Sequence, residues 1–295
     1  MNNQADSLRL IVKQMKNSVQ AQINRSNKGT RVITISSGKG GVGKSNLSLN
    51  LALALTDFKQ KVTLLDADMG LANIDVILGL TPLYNLAHVM VGEKTISEII
   101  TEGPHGLKII PGGSGMQELA NLKEWELENF LTKLSAIEGN TDYLLIDTGA
   151  GLSKTVLSFA LAADELIVVT TSEPTAITDA YGLIKTLCHQ EYTGKMYIVV
   201  NRVSSPKEAA VVFNKIKIAV NRFLKHNIEF LGYVVEDPKI GQSVLEQKAF
   251  LVAYPQSMAS LNLYSIAAKI TDQENSFQQN PGIKTFFSKV VQYFR

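Results

Sequence analysis

The sequence predicts an α/β fold in which a mostly parallel sheet carries helices on both of its faces. Three observations support this prediction. Short apolar runs alternate with longer helical patterns, the runs are almost continuously apolar, and a glycine-rich loop directly follows the first run. Continuous apolar runs are typical of strands covered on both faces, and their alternation with helices favours a parallel sheet.

Seven runs rich in β-branched and aliphatic residues predict the strands. They span residues 32–36, 62–65, 107–110, 143–146, 166–169, 196–200 and 230–234. Helix-length segments lie between or after these runs, at residues 44–57, 124–138, 174–191, 206–225 and 257–270. Right-handed crossovers would connect the parallel strands through these helices.

The 295 residues suit one large domain with two appendages. We divide the chain into an N-terminal partner-binding segment at residues 1–30, a central domain at 31–272, and a linker with a C-terminal helix at 273–295. Residues 1–31 carry six bases and one acid, and residues 281–295 carry three bases and no acid. The segment between them carries 20 bases and 26 acids. We therefore expect the two basic ends to meet other molecules.

Composition excludes several classes of protein. No stretch approaches the roughly 20 apolar residues of a membrane-spanning helix, and the N-terminus lacks the apolar region of a signal peptide. We therefore expect a cytoplasmic location. The single cysteine, Cys188, cannot form a disulfide framework or a cysteine-held zinc or iron–sulfur site within one chain. The four histidines show no metal-ligand spacing.

The strongest functional signal is the loop from Ser37 to Ser45, between the first strand and the first helix. Its glycines let backbone N–H groups turn towards a bound anion, and the helix N-terminus adds partial positive charge. Lys44 can reach the β- and γ-phosphates, and the Ser45 hydroxyl can bind Mg²⁺. We therefore predict a site for ATP or ADP with Mg²⁺. The predicted phosphate-binding residues are Gly38, Lys39, Gly40, Gly41, Val42, Gly43, Lys44 and Ser45.

A second lysine, Lys39, makes this loop unusual. The run Lys39–Ser45 resembles the deviant Walker A motif of the MinD/ParA family of P-loop ATPases, and the resemblance covers about residues 30–270. It implies a homodimer that closes around two ATP molecules, with Lys39 of each subunit reaching the ATP of its partner. It also implies slow, dimer-dependent hydrolysis of ATP to ADP and phosphate, because a cation supplied in trans acts like an arginine finger. The implied catalytic residues are Lys39, Lys44 and Asp68.

Two acidic motifs extend the resemblance. Asp66 and Asp68 follow the second strand and Asp147 follows residues 143–146, so all three fall at the edge where an open parallel sheet gathers its ligands. The resemblance implies that Asp66 lies near Mg²⁺ and that Asp147 holds a magnesium-bound water. Asp68 would position or deprotonate the attacking water. With Ser45, Asp66 and Asp147 form the implied metal site.

Two segments at strand ends resemble the base-binding loops of the same family. They are Asn201 with Arg202, and Glu236 with Asp237 and Pro238. The resemblance implies that Asn201 pairs with the adenine edge. Each segment alone is equally typical of an ordinary turn after a strand, so that alternative stays open. Residues 171–180 resemble a family segment near the dimer interface.

The C-terminal segment has the pattern of an amphipathic helix. Apolar residues at 283, 286, 287, 290, 291 and 294 fall on one helical face, and the other face is polar and basic without an acid. Such a helix suits a membrane surface, so we predict that residues 283–295 bind membrane lipids when the protein holds ATP. The alternative is a last helix packed on the core of the domain.

The N-terminal segment carries a short motif in which Gln4, Ala5, Leu8 and Arg9 match an element of the flagellar-number regulators FlhG/FleN, also called YlxH. Asn3 stands where that element usually has Asp. The resemblance implies that residues 3–9 bind the SRP-type GTPase FlhF. A flagellar C-ring protein or a transcriptional regulator is a further implied partner.

Two related functions compete with this interpretation. A division-site MinD ATPase would share the C-terminal helix, but it would begin almost at the first strand. A ParA-type ATPase would partition DNA or cargo and bind DNA through surface bases, whereas here the central segment is acidic. We therefore expect no specific nucleic acid partner. Iron-protein and cluster-carrier relatives need cysteine ligands that Cys188 alone cannot supply.

Overall fold

The computed structural model describes residues 29–68, 73–113, 119, 123–272 and 282–294. Eight strands form one sheet: β1 (Arg31–Ser37), β2 (Val62–Ala67), β3 (Thr101–Glu102), β4 (Lys108–Pro111), β5 (Tyr143–Ala150), β6 (Glu165–Thr170), β7 (Lys195–Val203) and β8 (Glu229–Val235). Their order is β3-β4-β2-β5-β1-β6-β7-β8. All neighbours are parallel except β3, which runs antiparallel to β4 at one edge. The predicted fold class is therefore confirmed.

The described helices cover both faces of the sheet. They are α1 (Lys44–Asp57), α2 (Asn73–Leu78), α3 (Leu86–Met90), α4 (Ile96–Ile99), α5 (Glu124–Glu138), α6 (Lys154–Ala162), α7 (Pro174–His189), α8 (Pro206–Phe223), α9 (Pro238–Leu245), α10 (Phe250–Ala253), α11 (Met258–Asp272) and α12 (Gly282–Phe294). Within the described parts of the chain, no helix has the length and apolar character needed to cross a membrane.

Alternate strand residues point to opposite faces, which gives the sheet two apolar sides. On β1, Ile33 packs with α1 and α11, whereas Val32 packs with the layer of α5, α6 and α12. Further along the sheet, Val168 of β6 packs with α7 and α8. Helices α5, α12, α6, α7 and α8 therefore lie on one face, and α1 and α11 lie on the other. The continuous apolar runs follow from this double coverage.

Helix α12 is packed on the domain core, which is the alternative that the sequence left open for the C-terminal segment. Its apolar stripe is buried between α5 and α6. The Phe159 ring of α6 lies 6.0 Å from that of Phe286, and the Phe130 ring of α5 lies 5.9 Å from that of Phe287. Amphipathic patterning is identical for a core-facing helix and a lipid-facing helix, so the pattern alone did not decide between them.

Two polar contacts hold the same helix. The Ile283 N–H donates to Glu138 Oε1 over 3.0 Å, which caps the start of α12. Near its other end, Lys289 Nζ lies 3.4 Å from Asp164 Oδ1. The alternative left open by the sequence, a last helix on the core, is the arrangement in this structure.

Arg31, one of the six bases counted in residues 1–31, belongs to the central domain, where it opens β1. Its side chain is buried at the start of β1 and forms a two-bond ion pair with Glu165, at 2.8 Å for each hydrogen bond. It also donates to the Tyr143 hydroxyl and to the Ile270 carbonyl. Burial of a guanidinium requires such complete pairing, so Arg31 joins β1 to its neighbours instead of meeting a partner.

Candidate nucleotide-binding site

The predicted phosphate loop lies between β1 and α1 in a conformation that requires glycine. Gly41 has φ 78° and Gly43 has φ 85°, both in the left-handed region that residues with a Cβ avoid. A Cβ on Gly43 would also collide with the side chain of Asn201. Gly38 packs against the backbone of Asp179 and Ala180 in α7, with no room for a side chain. The loop is thus held from two sides.

Lys44 is buried at the start of α1 and pairs with Asp147. Lys44 Nζ lies 2.9 Å from Asp147 Oδ1, and the Ser48 hydroxyl donates to the same oxygen over 2.7 Å. Asp147 Oδ2 is buried without a hydrogen-bond partner among the described residues. The pair neutralises two charges that burial would otherwise penalise, and it leaves one acceptor oxygen for a ligand.

Asp66 and Asp147 lie side by side, because their positions on β2 and β5 are direct register partners. Asp66 is 2% exposed, and its carboxylate accepts hydrogen bonds from the N–H groups of Asp68 and Ile74. Burial, followed by the negative charge of Asp147, raises the pKa of Asp66 to about 7. Two neighbouring buried carboxylates are expensive unless a cation joins them.

The residues present fit the predicted Mg²⁺ site. Ser45 supplies a half-buried hydroxyl beside Lys44, and Asp66 and Asp147 supply carboxylates from paired positions on β2 and β5. Hard oxygen donors of this kind are the ligands that Mg²⁺ prefers. The unpaired Asp147 Oδ2 and the raised pKa of Asp66 both indicate a place where a cation would lower the free energy.

Asp68 follows β2 and is half-buried. The Asn73 amide donates to its Oδ2 over 3.3 Å, and its Oδ1 lies against Gly149 of β5. Residues 69–72, which follow it, are outside the described part of the chain. Asp68 therefore lies near Asp66 and Asp147, on the side of the sheet where the carboxyl ends of the strands meet.

The unusual lysine, Lys39, is held within its own subunit. Its Nζ lies 2.9 Å from Glu173 Oε2 and donates to Thr175 Oγ1 over 2.8 Å. The side chains of Lys39 and Glu173 are 38% and 56% exposed, so the pair lies at the open rim of the site. The Lys39 ammonium lowers the pKa of Glu173 through its hydrogen bond and its charge.

A cavity of about 230 Å³ lies beside the phosphate loop, where the sequence predicted the nucleotide base. Asn201, Arg202, Glu236 and Asp237 all line it, whereas Pro238 is not among the lining residues and opens helix α9 instead. The Arg202 Nε donates to Glu236 Oε2 over 3.0 Å at the rim. Apolar side chains form its walls: Leu47, Val234, Ile240, Phe250 and Leu263.

Asn201 has a role that the sequence did not predict. Its Nδ2 donates to the Val42 carbonyl over 2.8 Å, so the amide braces the phosphate loop from the end of β7. The same amide lines the base cavity. A hydrogen bond between residues 159 positions apart leaves no local sequence signal, so only the fold reveals it.

Strand, glycine loop and helix, with a buried lysine and two strand-end carboxylates, define a P-loop nucleotide-binding protein. A family model described as "ParA: NUBPL iron-transfer P-loop NTPase" matches residues 28–271. The chain belongs to the ParA/MinD family of P-loop NTPases. P-loop NTPases of this family are ATPases.

Two similar proteins are FleN and the flagellum site-determining protein YlxH. The chain is 38% identical to the antiactivator FleN of Pseudomonas aeruginosa over 263 residues, which cover 89% of this chain and 94% of FleN. It is 35% identical to the flagellum site-determining protein YlxH of Helicobacter pylori, with 99% of both chains covered. Among solved structures, the MinC:MinD cell division complex of Aquifex aeolicus matches with a TM-score of 0.65 at 27% identity, covering 82% of this chain and 96% of that one.

Proposed function

We propose that this chain is a MinD-like ATPase that dimerises on ATP and regulates the number and placement of flagella. The similarity to FleN and YlxH over almost the whole chain supports the flagellar role. The phosphate loop with Lys39 at its rim supports the ATP-dependent dimer. We place the protein in the cytoplasm, with peripheral attachment at the inner face of the cell membrane in the ATP state.

The observation that carries the proposal is the position of Lys39. It lies at the open rim of the loop, bonded to an exposed glutamate, while Lys44 is buried inside. Exposed ion pairs contribute little to stability, so Lys39 can exchange Glu173 for a phosphate presented by a second subunit. The buried Lys44 would instead bind the phosphates of its own subunit.

Hydrolysis would then follow from positioning and charge. Lys44 leaves Asp147 for the β- and γ-phosphates, and Lys39 of the partner stabilises the charge on the transferred phosphoryl group. Asp68 orients the attacking water and accepts its proton. Mg²⁺ bound by Ser45, Asp66 and Asp147 would supply further neutralisation of the phosphate oxygens. The chain turns over slowly alone because its second cation is missing.

ATP turnover measured against protein concentration tests this mechanism. Specific activity should rise with concentration, and Lys39→Ala should remove that rise. Asp68→Ala should accumulate an ATP-bound dimer in light scattering. The exposed Lys59, changed to Ala, is the matched control and should behave as the parent. A solitary Asp68→Ala chain at saturating ATP and Mg²⁺ would contradict the proposal.

We further propose that residues 283–295 attach the ATP-bound dimer to the membrane. In the structure, the apolar stripe of α12 is packed on α5 and α6, so attachment requires the helix to leave that position. Burial of the six apolar side chains contributes on the order of 10 kcal/mol, either on the domain or in a lipid surface. The conformational entropy lost when the helix is ordered offsets part of this gain. The two states are therefore close enough in free energy for nucleotide and dimerisation to choose between them, and two helices per dimer add avidity.

Sedimentation with vesicles tests the attachment. The full chain should sediment with vesicles that contain phosphatidylglycerol in ATP and Mg²⁺, and remain in the supernatant with ADP. Lys39→Ala should lose the ATP effect because it does not dimerise. Equal sedimentation in ADP and ATP would contradict a nucleotide-controlled attachment.

The partner proposed for residues 3–9 is the SRP-type GTPase FlhF, with a flagellar C-ring protein or a transcriptional regulator as further candidates. These residues lie outside the part of the chain that the structure describes. A peptide of residues 1–25 should raise the GTPase rate of purified FlhF, and the same peptide with Arg9→Ala should not. If the parental peptide does not raise the GTPase rate, FlhF is not the partner of residues 3–9.

A further inference from the structure

Helix α8 presents an exposed stripe in which bases and apolar residues alternate. Its members are Lys207, Val211, Lys215, Ile218 and Arg222, at spacings of four, four, three and four residues. Such spacing places all five on one line along the outer side of a helix. All five are exposed, with Val211 at 54% and Ile218 at 66%.

The core does not account for this stripe. Helix α8 packs on β7 and β8 through its opposite side, which buries Val212, Phe213, Ile216 and Val220. The outer valine and isoleucine therefore keep more than half of their surface in contact with water. Phe223, at the end of the helix, is also 67% exposed and has the Arg222 guanidinium 5.4 Å from its ring centroid.

The charge of α8 differs from that of the rest of the domain. Residues 206–225 contain five bases and one acid, whereas the chain between its two basic ends has more acids than bases. The acid, Glu208, is engaged at the start of the helix, where it accepts from the N–H and hydroxyl of Ser204. The stripe itself is therefore purely basic and apolar.

The stripe lies on the same face of the sheet as α12. Helices α12, α6, α7 and α8 follow one another across that face. Their outer sides carry further exposed bases at Lys154, Lys185 and Lys284. When α12 leaves this face to meet an anionic surface, the α8 stripe therefore lies on the same side of the domain.

We propose that the α8 stripe is a second membrane contact, which inserts Val211 and Ile218 between anionic lipid headgroups that Lys207, Lys215 and Arg222 bind. This contact rests on the proposed membrane association and adds a surface to it. Interfacial helices combine basic and apolar side chains in this way. A nucleic acid backbone would use the bases, but it offers nothing to an exposed isoleucine. The alternation therefore favours lipid.

Substitutions that leave the core intact test the contact in the full chain with ATP and Mg²⁺. Lys215→Gln with Arg222→Gln should weaken binding to phosphatidylglycerol vesicles by roughly 25-fold, at about fivefold per base. Ile218→Ser should weaken it by roughly tenfold. The matched controls are Lys59→Gln with Lys61→Gln, and Leu261→Ser in α11 on the opposite face of the sheet. ATP turnover without vesicles should be unchanged throughout.

An environment-sensitive probe locates the contact directly. A nitrobenzoxadiazole label on Ile218→Cys, in a Cys188→Ser chain, should shift its emission to the blue when phosphatidylglycerol vesicles bind. The same label on Leu261→Cys should not shift.

Three outcomes overturn the proposal, and they differ in whether they also contradict the attachment through α12. If the α8 substitutions do not change vesicle binding, then the stripe is not a membrane contact, and attachment through α12 alone remains. If the parent chain does not bind vesicles in ATP, both the stripe as a membrane contact and the proposed attachment through α12 are contradicted. A shift at position 218 with duplex DNA, but not with vesicles, assigns the stripe to nucleic acid.

Discussion

At the scale of single residues, Lys39 has two competing partners: Glu173 of its own subunit and the phosphate of a second subunit. We expect Glu173→Gln to weaken the hold on Lys39, because the substitution removes the negative charge that pairs with the ammonium. The protein concentration that gives half-maximal ATP turnover should fall several-fold. Turnover assayed over a concentration series measures this.

The control for that prediction is Glu93→Gln, which removes another exposed carboxylate. It should leave the concentration dependence unchanged. If Glu173→Gln instead reduces turnover as Lys39→Ala does, then Glu173 helps to position Lys39 within the dimer and does not compete for it.

Asn201 is expected to matter even without nucleotide. Asn201→Ala removes the buried hydrogen bond to the Val42 carbonyl, which should lower the free energy of unfolding by about 1–3 kcal/mol. Affinity for ATP should fall as well, because the loop loses a brace. Urea denaturation of the nucleotide-free chain measures the first effect. The exposed Asn214, changed to Ala, should alter stability by less than about 0.5 kcal/mol.

A loop motif places the predicted phosphate-binding residues within nine consecutive positions, and the structure places this loop between β1 and α1 as the sequence indicated. Asp66 and Asp147 were also predicted, because the carboxyl ends of parallel strands meet at one edge. The contacts of Ser48 and Thr175 were not predicted, since each joins positions about 100 or more residues apart. Such contacts depend on how helices pack on the sheet, which the local pattern does not encode.

At the scale of elements, α12 behaves as part of the core in this structure. Phe286→Ala should therefore lower the free energy of unfolding by about 3–5 kcal/mol, since it opens a cavity between α12 and α6. Tyr293→Ala is the control on the same helix, because that ring is 40% exposed and its loss should cost little. Equal, small effects would mean that α12 is detached from the domain in solution.

The helices and strands themselves followed closely from their patterns. The first helix spans residues 44–57 as predicted, and all seven predicted strands are present. Helices α6 and α9, with nine and eight residues, were not predicted, and neither were the two-residue β3 and the short helices α2, α3, α4 and α10, because segments this short show little periodicity. Their positions are set by packing on longer elements.

At the scale of the whole molecule, release of α12 is the event that would connect nucleotide to membrane. Amides of residues 283–294 should be protected from hydrogen exchange in the nucleotide-free chain, because they belong to a buried helix. With ATP, Mg²⁺ and phosphatidylglycerol vesicles, the contacting surface of α6 should lose protection as the helix departs. Exchange followed by mass spectrometry measures both segments.

The helix α11 provides the internal reference for that measurement, because it packs on the other face of the sheet. Its protection should be the same in every state. If α6 stays fully protected while the protein is bound to vesicles, then attachment does not use the stripe that α12 buries on the domain.

The unequal edges of the sheet have a consequence for molecules gathered on a surface. One edge ends in β3, which has only two residues, runs against its neighbour and is followed by Gly103 and Pro104. Such a blunt margin offers almost no free ladder to an adjacent copy. If copies of this chain are concentrated on a surface, this edge of the sheet therefore disfavours their association into continuous sheets.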